Sequence, residues 1–156
     1  MKKVINQVSH ICEVRIGYFP KIDPRQADSF TNSATVEGYV RPFMENYEIY
    51  QKEYFVAVYT NRNNKPLGII KVSEGAASSC VVDVQYILRG AILTNAQGLI
   101  IAHNHPSGAV KPSAQDLQIT DKIKSACEVM DIKLYDHLII SPFGGYYSFA
   151  DNGHNI

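Results

Sequence analysis

The sequence predicts an α/β fold: a single domain with a mixed β-sheet and flanking helices. Three observations carry this. Segments with strand alternation and segments with helical periodicity follow one another along the chain. Hairpin-like pairs of strands stand at both ends of that series, so the sheet cannot be purely parallel. The length of 156 residues, with 46% hydrophobic and 19% charged residues, is that of one globular domain with a proper core.

Taken in order, Val8 to Phe19 alternates and reads as an edge strand. Residues 21–32, preceded by Pro20 and interrupted by Pro24, read as a connection with one helical turn. A helix is expected from Ser33, with Val36, Tyr39, Val40 and Phe43 at i, i+3, i+4 and i+7, and Pro42 is expected to kink or shorten it. Residues 53–60 are a strand of β-branched and aromatic residues. The Asn- and Pro-containing run 61–66 is turn chemistry, and 67–72 is the returning strand of a hairpin. Gly75 to Ser79 reads as a loop or bend. Val84, Ile87, Leu88, Ala91 and Ile92 mark a second helix, with Gly98 just past its end, and 99–103 is the next strand. After a loop to Pro112, a third helix covers about 114–130 with Ile119, Ile123, Ala126 and Met130 inward. Strands at 132–141 and 146–149 close the sheet around a Pro142–Gly145 turn. Residues 1–50 are expected to be a strand/helix extension of the same domain and 51–152 its core.

Composition narrows the function. Fifteen basic and fifteen acidic residues give no formal net charge. The basic residues are scattered rather than gathered in the stripe that phosphate neutralisation needs, so nucleic acid as a partner is not supported by charge. The three cysteines, Cys12, Cys80 and Cys127, form no C-x-x-C pair and fit a reducing compartment; Cys127 reads as a small core residue. No apolar run reaches the ~20 residues needed to span a bilayer, and no signal region follows Met1. A cytoplasmic protein without a membrane partner is expected.

The chemistry concentrates at His103-Asn104-His105-Pro106-Ser107-Gly108, followed by Ser113 and Asp116. Side chains at i and i+2 of a strand share a face, so His103 and His105 converge. Pro106 and Gly108 then turn the backbone away, and Ser113 and Asp116 fall where a helix begins. Two His and one Asp make a three-ligand metal site with one position open, the arrangement of a catalytic zinc, whose presence lowers the pKa of water to about 7. The competing structural role is a capping box, Ser113-Ala-Gln-Asp116, which claims the same carboxylate. A general base would be needed as well, and Glu48, Glu53 and Glu74 are neighbouring acidic residues. His137, after Asp136 in an apolar strand, reads as a satisfied core residue or one that backs the site ligands. His10 and His154 are unremarkable. The literal His-Asn-His is not an HNH nuclease signature, a deaminase Pro-Cys-x-x-Cys pair is missing, and there is no H-E-x-x-H helix.

The string His103-x-His105-Pro106-x-Gly108 with Ser113-x-x-Asp116 resembles the JAMM (MPN+) metallohydrolase motif. The longer His103-Asn-His-Pro-Ser-Gly108, then Pro112-Ser113-x-x-Asp116, is similar to the RadC-like JAB-domain family. Weaker matches run from Glu53 through Glu74-Gly75 to Asp136-His137 and Tyr146–Phe149. The resemblance implies a JAB/MPN-like fold with cytidine-deaminase-like layering and places the family core at 51–152. It implies Zn²⁺ held by His103, His105 and Asp116, with Glu53 as general base and then general acid. It also implies Ser113 as donor to the oxyanion of a tetrahedral intermediate, against its simpler role as N-cap. The implied reaction is cleavage of a peptide or isopeptide bond in a protein or peptide substrate.

Two departures stand out. Val84-Gln85 occupies the place where the family often carries Pro-Arg, and no helix-hairpin-helix segment is apparent in residues 1–50. The alternative function is that of a DNA-repair-associated accessory protein without peptidase activity, and a third is a scaffold keeping zinc for structure. Neither substrate identity nor oligomeric state is readable from the residues.

Overall fold

A computed structural model describes residues 18–20, 23–75 and 81–156. In chain order these form a short 3₁₀ turn Pro24–Gln26, helix α1 Ser33–Met44, strands β1 Glu53–Thr60 and β2 Pro66–Gly75, and helix α2 Val84–Thr94. Strand β3 Gly98–Asn104, helix α3 Ala114–Val129, and strands β4 Lys133–Ile140 and β5 Tyr146–Ser148 follow. The strand expected over 8–19 lies, but for its last two residues, outside the described residues, and Tyr18 and Phe19 are not in a strand.

The sheet order is β2-β1-β3-β4-β5. Only β3 and β4 run parallel, joined by the α3 crossover, and the other pairs are antiparallel. The sheet is therefore mixed, as the terminal hairpins require. Alternation along β1 and β3 sorts the core into two layers. Phe55, Ala57, Tyr59, Leu99 and Ile101 face α2 and α3. Tyr54, Val56, Val58, Ile100 and Ala102 face α1 through Val36, Val40 and Met44.

Each helix starts on a side-chain cap. Asn32 accepts from Thr35 N at the head of α1, Asp83 from Tyr86 N at α2, and Ser113 from Asp116 N at α3. Helix α1 runs through Pro42 and ends two residues later, at Met44, so the proline lies in its last turn. Helix α2 ends on Asn95 in the left-handed conformation (φ 52°), not at Gly98. Gly98 instead opens β3, where a Cβ would lie 2.2 Å from the Tyr135 ring and 2.3 Å from Thr60 Oγ1. Helix α3 is rotated relative to its apolar pattern: the buried row is Asp116, Thr120, Ile123 and Cys127, while Met130 is 41% exposed. Two polar residues thus head the inward face, close to the C-terminal end of β3. Among the described residues, no helix is long and apolar enough to cross a membrane.

One irregularity in the sheet positions a functional side chain. Leu99 pairs with Leu134, but Ile100 pairs with Asp136, so Tyr135 is an extra residue in β4. A bulge of this kind is rare between parallel strands, and it reverses which residues face which layer. Leu134 packs with the α2/α3 layer before the bulge, and Leu138 and Ile140 pack with the α1 layer after it. His137 therefore emerges on the α3 side, across from Ile101.

Candidate metal centre

His103 and His105 sit at the end of β3, where His105 N still bonds to Ile140 O at 3.2 Å. His103 is 1% exposed and lies beside Phe55, its partner in the β1–β3 register, with the rings nearly coplanar in orientation. Beyond it, Gly108 N donates to His105 O at 2.8 Å, and Gly108 has φ 81°. This tight turn brings the Ala109 carbonyl to 2.7 Å from His105 Nδ1. A carbonyl only accepts, so Nδ1 carries the proton and the neutral ring turns a bare Nε2 inward.

Asp116 arrives from the first turn of α3. Its Oδ2 accepts from Ser113 N and from Ser113 Oγ, both at 2.7 Å, and its own N–H donates to Ser113 Oγ at 3.1 Å. Oδ1 stands 3.1 Å from His103 Nε2, and Oδ2 is 3.6 Å from His105 Nε2. The capping role and the histidine-facing role, which compete on paper for one carboxylate, coexist: Oδ1 faces His103, and Oδ2 serves both Ser113 and His105.

His103 Nε2 and His105 Nε2 are 2.9 Å apart. Each Nε2 thus has one Asp116 oxygen 3.1 or 3.6 Å away, and one ligand atom from each residue lies within 4.8 Å of the others. Donors about 2.1 Å from one tetrahedral ion are ~3.3 Å apart. The chemistry of the set fits a cation too. Two nitrogen lone pairs and an anionic oxygen directed at one point repel unless positive charge sits among them. The titration behaviour expresses this: the Asp116 carboxylate raises His105 above the ordinary 6.5, against the effect of burial. Burial by itself would push Asp116 up, but His103, His105 and the Ser113 hydroxyl outweigh it and hold the carboxyl far below the usual range. His103, His105 and Asp116 are the His/Cys/Asp/Glu group among the described residues whose atoms could hold one metal ion.

Glu53 opens β1 two residues before Phe55, the partner of His103. Continued by two residues, that antiparallel register brings Glu53 opposite His105 and onto the same face. Its charge adds to the forces holding the proton on His105. Its two local competitors are engaged elsewhere: Glu48 pairs with Lys52 at 3.3 Å, and Glu74 pairs with Lys71. Glu74 also stands opposite Tyr54, on the α1 face of the sheet. Val84-Gln85, the departure noted above, forms the first two residues of α2.

Two further residues join the site: His137, read from sequence as a core residue or one backing the ligands, and Thr120, which the sequence pattern did not single out. His137 is fully buried, and its Nε2 lies 2.8 Å from His103 Nδ1. Thr120, one turn after Asp116, has Oγ1 2.6 Å from His137 Nδ1. The i, i+4 spacing from Asp116 was a usable signal for Thr120; for His137 the Asp136-His137 match was a signal, but the face it takes depends on the bulge.

A mixed sheet flanked by helices, with His, His and Asp converging at the end of its central strand, defines a JAB/MPN-type domain. The chain belongs to the RadC-like JAB domain family, whose model matches residues 30–154. It is 36% identical over 134 residues to a UPF0758 protein of Porphyromonas gingivalis, covering 86% of this chain and 58% of that one. It is 44% identical over 101 residues to a UPF0758 protein of Flavobacterium johnsoniae, covering 65% and 44%. A third, from Actinobacillus succinogenes, is 37% identical over 125 residues, covering 80% and 55%. The chain spans about half the length of these curated relatives.

Proposed function

We propose that this chain is a zinc-dependent hydrolase of JAMM type that cleaves a peptide or isopeptide bond. The observation that carries the reading is the convergence of two Nε2 lone pairs and one carboxylate on a single point at the end of β3. His103, His105 and Asp116 would hold the ion. Zinc bound there supplies a Lewis acid that polarises a carbonyl and lowers the pKa of water to about 7.

The remaining work falls to side chains. Glu53 takes a proton from the attacking water and returns it to the leaving amine, so one carboxylate serves as base and then as acid. Its place across from His105 puts it at the rim of the same site. Ser113 has one hydroxyl proton, which goes to Asp116 Oδ2. Donation to a developing oxyanion exchanges that bond, and Asp116 then keeps the Ser113 backbone N–H. The Ser113 Oγ keeps its cap, accepting from Asp116 N at 3.1 Å, and exchanges only its own donated bond for a transition-state contact worth ~3 kcal/mol. The substrate class, a peptide or protein, follows from the family resemblance. The neutral overall charge favours it over a DNA-associated accessory role.

The test measures bound metal in protein purified without chelators, together with turnover of peptide and isopeptide libraries. Stoichiometric zinc lost in His103→Ala, and turnover lost in Glu53→Gln with zinc retained, are the expected results. Protein without zinc, or turnover indifferent to Glu53→Gln, overturns the reading. Salt-dependent DNA binding unaffected by Glu53→Gln, without turnover, points to the accessory role instead.

A further inference from the structure

We propose that Thr120 and His137 are positioning residues: a two-member hydrogen-bond relay that locks His103 in its Nδ1–H tautomer and ties it to the helix turn carrying Asp116. The inference rests on the metal-centre reading above.

The direction of every proton in the relay follows from one end. Thr120 Oγ1 is 2.5 Å from the main-chain carbonyl of Asp116, an atom that can only accept, so the single hydroxyl proton points there. Toward His137 Nδ1, 2.6 Å away, Thr120 is then left as acceptor, and Nδ1 must carry the proton. His137 is fully buried between Phe149, stacked at 4.6 Å, and the Phe55 and His103 rings. Its two ring nitrogens meet Thr120 Oγ1 and His103 Nδ1 and no carboxylate, so the buried ring is the neutral one and its single proton is already on Nδ1. Its Nε2 is a lone pair, and it accepts from His103 Nδ1 at 2.8 Å. His103 then has its proton on Nδ1 and a bare Nε2 directed at His105 and Asp116.

The relay therefore starts on the backbone of one candidate ligand and ends on the ring of another. It crosses from α3 to β4 to β3, and so adds to the approach of Asp116 Oδ1 to His103 Nε2 at 3.1 Å, the apolar packing and the sheet ladder that also join these elements. If Thr120 loses its hydroxyl, His137 Nδ1–H has no acceptor. The Nε2–H tautomer of His137 then competes, and it forces His103 to accept at Nδ1. The proton of His103 moves to Nε2, the atom that must be free for a metal. The counterpart at His105 is simpler, one bond to the Ala109 carbonyl, which is why the buried histidine alone needs an intermediary.

The experiment compares wild type, Thr120→Val, Thr120→Ala and Thr120→Ser. Histidine-selective ¹⁵N labelling and long-range ¹H–¹⁵N correlation spectra of metal-free protein read the tautomers. Zinc affinity is measured by competition with a chromophoric chelator, with circular dichroism as a check on folding. Expected are Nδ1–H for His103 and His137 in wild type and Thr120→Ser, and a shift toward Nε2–H in Thr120→Val and Thr120→Ala. Zinc affinity falls about 10- to 100-fold in the two variants without the hydroxyl. The Ser variant stays within about threefold of wild type. A loss that Thr120→Ser shares overturns the proposal, because methyl packing would then be the cause; so does Nε2–H on His103 in the wild type. If wild type binds no zinc, the functional reading fails while the tautomer spectra still decide the relay. Should Thr120→Val fail to fold, the Ala and Ser pair reads the same bond.

Discussion

Asn104 accepts a hydrogen bond from Tyr54 N at 2.8 Å, and through it the strand of the histidines sets the position of Glu53. The same side chain donates to Ile49 O at 2.8 Å and to Lys52 O at 2.9 Å. The residue between the two histidines points away from them, as alternation requires. It grips the main chain on both sides of Glu53, at Lys52 and at Tyr54. Asn104→Ala leaves three main-chain groups without this partner, two of its three bonds reaching the carbonyls of a loop. A cost of about 3 kcal/mol is expected, since each buried group left unpaired costs about 1–3 kcal/mol. Chemical denaturation measures it. Turnover should fall further than zinc affinity, because Glu53 shifts while His103, His105 and Asp116 keep their own supports. Equal losses in the two would remove Asn104 from any role in placing Glu53.

Gly108→Ala addresses the turn beneath His105. Two effects oppose the substitution: φ 81°, and a Cβ 2.7 Å from the Phe143 ring. The ring is 72% exposed and can swing away, so the backbone term dominates. A loss of about 1–2 kcal/mol is expected, together with weaker zinc binding, because Ala109 moves with the turn and its carbonyl holds His105 Nδ1. Adding Phe143→Ala should recover little of the stability. Full recovery would show that contact, not φ, is the cause.

Zinc affinity should decline as pH falls. His105 is raised above 6.5 chiefly by the Asp116 carboxylate, and a protonated ring cannot bind metal. A raised pKa means that the proton is held at higher pH than in a free imidazole, so the decline starts above pH 6.5. Asp116 stays ionised throughout and adds no slope. Glu53 helps to hold that proton, so Glu53→Gln moves the midpoint to lower pH. Chelator competition from pH 5.5 to 8 measures both, and an unmoved midpoint would separate Glu53 from the site.

Cys127 gives a probe of the α3 packing. It is fully buried, and burial pushes its thiol up to about 11. At pH 8 only about one thiol in a thousand is ionised, and the sulfur is also covered. In a Cys12→Ser/Cys80→Ser background, reaction with an aromatic disulfide reagent should follow global unfolding, accelerating with denaturant. Rapid native-state labelling would contradict a core position.

Much of the site was legible because its signals are local. His103 and His105 share a face through the two-residue period of a strand, and Ser113 and Asp116 announce a helix start. The fold class followed from the order of periodicities. Less legible were faces set by long-range packing. The apolar stripe of α3 suggested Met130 inward, but the helix turns Asp116 and Thr120 to the core instead, because His103 on β3 and His137 on β4 offer them partners there. His137 read as a core residue or one backing the ligands, with its face undecided. Counting alternately from Leu134 puts it on the wrong side of the sheet, and only the extra residue at Tyr135 corrects the count.

By itself, the sequence determined the α/β class, the strand-end pair of histidines and the helix-start aspartate, since periodicity and capping act over a few residues. Tertiary structure alone decided that Asp116 serves cap and histidines at once, that Asn104 steers Glu53, and that Thr120 reaches His103 through His137. Those relations join α3, β4, β3 and β1. They depend on register and on one bulge, which no local pattern encodes.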